Sequence, residues 1–139
     1  MNSIQTSHVL LIENERVLLV KHEDGAGHLT GSYGIPGGRK DDVESFKQAA
    51  IRELTEETGF FVDDKDLKEY DGNEYTADIK RKSGETKRYT MKVFYAVKFA
   101  GEIKSSEETT PEWVKINELN QYKLLTNVEK AVKDAVNKL

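Results

Sequence analysis

Cysteine is absent from the 139 residues, which excludes disulfides, thiolate metal sites and a catalytic thiol. Proline is nearly absent, with only Pro36 and Pro111, and the chain contains no internal repeat, linker or low-complexity segment. No apolar run approaches the length of about 20 residues that a membrane-spanning helix needs. Met1 to Ser7 lacks the charged and apolar regions of a signal peptide. A soluble, cytoplasmic protein with no membrane partner is therefore expected. Positive charge is also short: the formal net charge is −4, which argues against a nucleic-acid polymer as partner, since that affinity rests on a basic surface. A small phosphorylated ligand held through a metal is compatible with that balance. Although apolar content is modest, Trp, Phe, Tyr, Ile, Leu and Val recur throughout, enough for one folded domain over residues 1–139.

Apolar runs at His8 to Glu13 and Val17 to Val20, joined by the polar Asn14-Glu15, predict a β-hairpin with strands buried on both faces. A polar, glycine-bearing loop over 21–30 follows. Gly31 to Gly38 then holds four glycines in eight residues. Pro36 biases Ile35 towards extended backbone, and Gly37-Gly38 permits either an ordinary turn or a close backbone approach to a ligand or helix. Leu67 to Lys80 and Arg88 to Phe99 predict two long strands around a hairpin at Ser83-Gly84, the second of them central. An acidic loop over 101–110 precedes a short strand at Glu112 to Ile116 and a helical turn near Asn117 to Asn120. Asn127 to Leu139 has the periodicity of a core-packing helix.

Chemistry concentrates between Gly38 and Phe60. A helix is predicted from Asp41 or Asp42, either of which could cap it, to Thr58, with Gly59 as its stop. Val43, Ala50 and Leu54 cluster on its wheel, flanked by Phe46 and Ile51. Glu53, Glu56 and Glu57 stand at i, i+3 and i+4, where unpaired carboxylates repel, so basic side chains or a metal ion should sit among them. Glu53 and Glu57 border the apolar stripe and Glu56 lies just beyond Glu53. This places the acids where the helix meets the rest of the fold, although a solubilising role would favour its outer face.

Gly38, five residues, Glu44, seven residues, then Arg52-Glu53-Leu54-x-Glu56-Glu57-x-Gly59-Phe60 resembles the Nudix box at every defining position. The Pro36-Gly37-Gly38 entrance and the strand order around the box are similar to that family as well. The resemblance implies an α+β fold, an α/β/α sandwich with a mixed central sheet. It also implies hydrolysis of a diphosphate linked to a nucleoside, with Mg2+ as cofactor and Mn2+ as the alternative. Glu53 and Glu57 are then the foremost metal ligands, with Glu56 beside them and Glu53 as general base. Arg52 is implied to orient a box glutamate, and Glu44 to support. Some members recruit a further carboxylate before the late strand; of Glu107, Glu108 and Glu112, the preferred candidate is Glu107, six residues ahead of Trp113.

The layout is most similar to the MutT-like branch, which acts on nucleoside triphosphates, oxidised ones included, yielding monophosphate and pyrophosphate. In that branch an Asn before the last helix can read a purine edge. Asn127 stands there, with N-cap of the final helix as its other reading. Gly37, Gly38, Tyr33 and His28 complete the candidate substrate contacts, with Lys21 and His22 at positions that contact phosphate or base in relatives. Two departures bear on base preference: Leu124-Leu125-Thr126 replaces a frequent proline pair, and Tyr33-Gly34-Ile35 stands where relatives often place Trp or Phe. Tyr75 falls near a tyrosine of diadenosine-polyphosphate hydrolases. The proline downstream of the box that marks many ADP-ribose hydrolases is absent, as are the extended motifs of NADH- and coenzyme A-type members. A dinucleoside polyphosphate or nucleoside diphosphate sugar is the alternative substrate class. A non-catalytic nucleotide-binding regulator is the alternative of another kind, and a monomer or homodimer is expected.

Overall fold

The computed structural model describes residues 3–23, 30–81 and 83–139. Its scaffold is β1 (Ile4–Glu13), which uses both of its edges. One edge runs parallel to β7 (Thr86–Ala96), with Ile4 opposite Tyr89 and Leu11 opposite Ala96. The other edge is shared: Thr6 to His8 pair with β4 (Gly37–Arg39), and Ile12-Glu13 pair with β2 (Arg16–His22), both antiparallel. The β1–β2 turn holds Asn14 and Glu15 at φ of 51° and 61°, the left-handed pair that a two-residue hairpin requires.

β3 (Tyr33–Gly34) and β9 (Thr109–Lys115) flank β2, and β6 (Glu74–Lys80) pairs with β7 to complete a mixed sheet of seven strands. β7 lies between β1 and β6 and is central, as the sequence pattern predicts. Leu67 to Asn73 is not part of β6; only Lys68 makes an isolated bridge there, to Tyr95. β5 (Phe60–Phe61) and β8 (Ala100–Gly101) form a separate short ribbon, the latter at the start of the expected acidic loop.

Residues of β1 alternate between two cores. Val9 and Leu11 pack with Leu18, Phe94, Ala50 and Leu54, beneath α1 (Phe46–Thr58). Leu10 and Ile12 pack with Val17, Leu19, Val93, Val128, Ala131, Val132 and Ala135, beneath α2 (Val128–Val136). Period-two alternation against a helix on each face is what makes this an α/β/α sandwich. Val9 to Leu11 and Val17 to Leu19 have no exposed surface, each worth about 1.5–3 kcal/mol of transfer free energy. Tyr75 is packing: its hydroxyl donates to Asp134 Oδ2 at 2.8 Å, tying α2 to β6, and shares a 2.9 Å bond with Tyr70.

Candidate active site

α1 begins three to four residues later than the Asp41 or Asp42 cap read from the sequence. Ser45 is the N-cap, its hydroxyl accepting from Gln48 N–H at 3.0 Å while Gln48 Oε1 accepts from Ser45 N–H at 2.8 Å. A Ser three residues before a Gln satisfies two orphan donors at once; Asp41 has only half of that arrangement, its N–H donating to Glu44 Oε1 at 3.0 Å. Val43 therefore lies ahead of the helix and is almost fully exposed, and Ala49 takes its place on the buried stripe. Gly59 ends the helix at φ 83°, its N–H bonded to Thr55 O.

The late start leaves Glu44 in a loop facing back along the helix, where Arg52 grips it. Arg52 Nε and Nη2 reach the two Glu44 oxygens at 2.7 and 2.8 Å, a bidentate fork. That bond holds the Glu44 carboxyl down at about 2 and raises Arg52. From the same guanidinium, Nη1 reaches Glu53 Oε1 at 2.9 Å and Glu56 Oε2 at 3.5 Å, and Nη2 donates to Arg39 O at 3.2 Å. A basic side chain thus answers for two of the three helix acids.

Glu57 is different. Its Oε1 accepts from Gly37 N–H at 2.6 Å, and among the described residues no cationic side chain pairs with it. Burial pushes its carboxyl up to about 8, against the pull of the Gly37 N–H, and the charges of Glu53, Glu108 and Glu56 add to the rise. Burial also raises Glu53, with Arg52 opposing. A half-buried carboxylate without a cation is costly to ionise, and a bound cation relieves that cost.

Both acids open into a cleft of about 360 Å³. The cleft lies where β4 and β2 part from their shared edge of β1, so the α1 carboxylates reach past Gly37 and Gly38 to the α2 side of the sheet. Both glycines serve close approach, with neither at positive φ. A Cβ on Gly38 would stand 2.6 Å from the Glu53 carboxylate, and one on Gly37 would stand 2.3 Å from Ser7 O and His8 Nδ1. Glu53, Glu57 and Glu108 make the acidic end. Thr6, His8, Ile79, Tyr89 and Met91, all on one face of β1, β6 and β7, line the remainder with Leu125, Thr126 and Val128. Arg81 donates to the Tyr89 hydroxyl across that end.

The structure brings Gly37, Gly38, Glu53 and Glu57 together on this cleft, with Arg52 behind them. The other expected residues stand elsewhere. Glu56 is exposed and held on Arg52. Glu107 is exposed and off the wall, whereas its neighbour Glu108, also exposed, lines the cleft. Tyr33 donates to Glu112 Oε1 at 3.1 Å, and burial with that carboxylate pushes its hydroxyl up to about 12; neither residue lines the cleft. Asn127 sits at the N-cap position of α2 but makes no side-chain cap bond. Its φ of 72° directs it to a separate shallow groove while Thr126 and Val128 face the cleft. His28 lies outside the described residues. His22 does line the cleft, its Nδ1–H donating to Ser32 O at 3.1 Å.

His8, Thr6, Tyr89 and Arg81 were not legible as site residues. Thr6 and Arg81 fall outside the predicted strands, His8 and Tyr89 read as strand packing, and with Gln5 and Ser7 around Thr6 no apolar alternation marks this stretch. Among the described residues, no three carboxylate or imidazole groups converge tightly enough to hold a metal as they stand. The donor set is nevertheless all oxygen, which suits a hard divalent cation, and the uncompensated Glu57 faces the cleft beside Glu53 and Glu108.

Comparison with known proteins agrees with this geometry. The chain is 34% identical over 111 residues to the Danio rerio "Oxidized purine nucleoside triphosphate hydrolase", an alignment spanning 80% of this chain and 65% of that protein. It is 42% identical over 52 residues to a "Putative 8-oxo-dGTP diphosphatase" of Bacillus subtilis, spanning 37% of this chain and 32% of the relative. The matched region is thus under two thirds of either relative's length. Among solved structures, the E. coli ORF135 protein superposes with a TM-score of 0.76 at 21% identity, covering 99% of this chain and 91% of that one. A MutT Nudix hydrolase from Burkholderia pseudomallei does so at 0.75 and 22%, covering 96% and 98%; at such identities the likeness concerns the fold. The NUDIX domain family matches residues 2–136, and the chain belongs to that family.

Proposed function

We propose that the chain is a pyrophosphohydrolase that cleaves a nucleoside triphosphate to the monophosphate and pyrophosphate, with Mg2+ or Mn2+ at Glu53, Glu57 and Glu56. The observation that carries this reading is the two-ended cleft. Its acidic end holds Glu53 and Glu57, one of them without a cationic partner among the described residues, and its far end offers Met91, Ile79 and Tyr89 to a flat base. The names of the two relatives support a nucleoside triphosphate, oxidised purines included. A soluble, cytoplasmic setting and a monomer or homodimer belong to the same proposal; no described helix is long and apolar enough to cross a membrane.

A divalent cation, when bound, neutralises phosphate oxygens and lowers the pKa of a ligated water. The chain's own part is positioning. Arg52 is fixed by Glu44 and in turn holds Glu53, while the bare Gly38 leaves room for that carboxylate. Glu53 accepts the proton of the attacking water as oxygen bonds to phosphorus and the anhydride P–O bond breaks; pyrophosphate and monophosphate leave. A carboxylate raised by burial is suited to such proton transfer. Glu56 would complete the ligand set with Glu53 and Glu57, and Glu108, which lines the cleft, would supply the further carboxylate for which Glu107 was the candidate preferred from the sequence.

The test is a panel of nucleoside triphosphates, dinucleoside polyphosphates and nucleotide sugars with Mg2+, assayed for phosphate with and without inorganic pyrophosphatase. Phosphate released from a triphosphate only with the coupling enzyme is expected. Phosphate without it, or no turnover of any compound, would refute the proposal.

A further inference from the structure

The nucleotide end of the cleft contains a hydrogen-bond chain whose direction is fixed. His8 Nδ1 lies 2.9 Å from Ile35 O, and a carbonyl can only accept, so Nδ1 carries the proton. The ring is held neutral, well below the usual imidazole range at about 4, by its burial. A neutral ring protonated at Nδ1 leaves Nε2 as an acceptor. Thr6 Oγ1 lies 2.8 Å from Nε2 and must therefore donate its only hydrogen there. Thr6 lines the cleft and is itself buried, locked between β4 and β7 by its pairing with Arg39 and Met91. A threonine hydroxyl ordinarily rotates to donate or to accept as a ligand demands. Here that freedom is removed, and only oxygen lone pairs remain for the cleft.

We propose that Thr6 is a specificity-determining residue, set by His8 as an obligate hydrogen-bond acceptor that selects a base presenting an N–H over one presenting a ring-nitrogen lone pair at the same place. The inference rests on the proposed nucleotide site and adds a chemical rule to it. A lone pair facing lone pairs leaves both buried acceptors unsatisfied, whereas an N–H completes the chain Ile35 O, His8, Thr6, base. A site built to bond one hydrogen rejects the analogue lacking it far more strongly than an apolar pocket rejects a change of shape.

Purine nucleoside triphosphates that differ in one ring N–H provide the probe. Guanine and adenine differ at N1, and a guanine and its 8-oxo form differ at N7, where the oxidised base carries hydrogen. In at least one such pair the N–H-bearing member should be preferred about tenfold or more in kcat/KM. Thr6→Val should collapse that ratio towards one through KM, and Thr6→Ser, which keeps the oxygen, should retain it. Nitrogen-15 NMR of the wild-type His8 ring should report a neutral ring protonated at Nδ1. A Thr6→Val protein that keeps the wild-type ratio, a preference for the lone-pair member, or a ring protonated at Nε2 overturns the inference while leaving nucleotide hydrolysis intact. Failure to bind or turn over any triphosphate overturns the proposed function and this inference with it.

Discussion

Gly38→Ala should produce a folded protein that has lost most of its activity. The added Cβ would lie 2.6 Å from Glu53 Cδ and Oε2 and 2.8 Å from Oε1, inside the 3.4 Å at which ordinary contact begins. The carboxylate must retreat by about 0.8 Å. It stands at the end of a flexible side chain, so the fold yields there at low cost, and unfolding by urea should move by less than about 1 kcal/mol. Catalysis is less forgiving, because a reacting group displaced by about 1 Å can lose ~10²-fold in rate. The contrast with Gly37→Ala makes the test specific. There the new Cβ would meet Ser7 O at 2.3 Å, a backbone atom inside the β1–β4 pairing that cannot swing aside. Gly37→Ala should lose about 1–3 kcal/mol of stability or more. Both variants are measured by urea unfolding and by coupled pyrophosphate release. Near-normal turnover in Gly38→Ala would refute the argument that this glycine exists to seat Glu53.

Glu53→Gln should keep its unfolding transition and lose orders of magnitude in kcat; a rate within tenfold of wild type would remove Glu53 as the base. Arg52→Lys cannot fork onto Glu44 while holding Glu53, and should lower kcat by about 10–100-fold with circular dichroism unchanged, a loss that retention of full activity would exclude. Asn127 holds φ 72°, so Asn127→Gly should be as stable as wild type and Asn127→Ala less stable by about 1 kcal/mol; the reverse order in thermal melts would contradict the backbone assignment. The His8 ring titrates near 4 in the folded protein and near 6.5 unfolded, so the unfolded chain binds the extra proton between those values. The His8 share of stability should therefore fall as pH drops from 6.5 to 4, by up to about 3 kcal/mol and less as water in the cleft reaches the ring, while Glu57, raised to about 8, contributes the opposite slope. A His8→Gln protein should lose the His8 share, so the difference between its pH profile and that of the wild type carries the test.

The fold and the helix of the box were legible in the sequence for different reasons. Unbroken apolar runs at Val9 to Ile12 and Val17 to Val20 carry the central strands, and the fixed intervals from Gly38 to Phe60 carry the box. The start of α1 was misjudged because Asp41, Asp42 and Ser45 are all good N-caps in isolation, and only the reciprocal bond with Gln48 distinguishes Ser45. Glu108 against Glu107 is decided by how the loop enters β9, where Glu108 O accepts from Glu23 N–H at 2.8 Å just ahead of the strand, a long-range contact that the loop sequence does not encode. Asn127 shows a similar limit, since a left-handed backbone at a non-glycine residue rotates the side chain without altering any pattern along the chain. The far wall of the cleft depends on β1 and β7 running parallel, a pairing between residues more than eighty apart that places Thr6 beside Met91.

Arg52 has a consequence for the order of events. With its guanidinium already on Glu44, Glu53 and Glu56, the acidic helix does not wait for a cation in order to form. Folding and loading become separate steps. On the proposed reading a cation would compete for carboxylates that have a partner, and Glu57, with no cationic partner among the described residues, would be its foothold. Its occupancy should accordingly follow its concentration in the surroundings and leave the fold in place when it departs, making the metal supply a dial on the reaction while the protein itself persists.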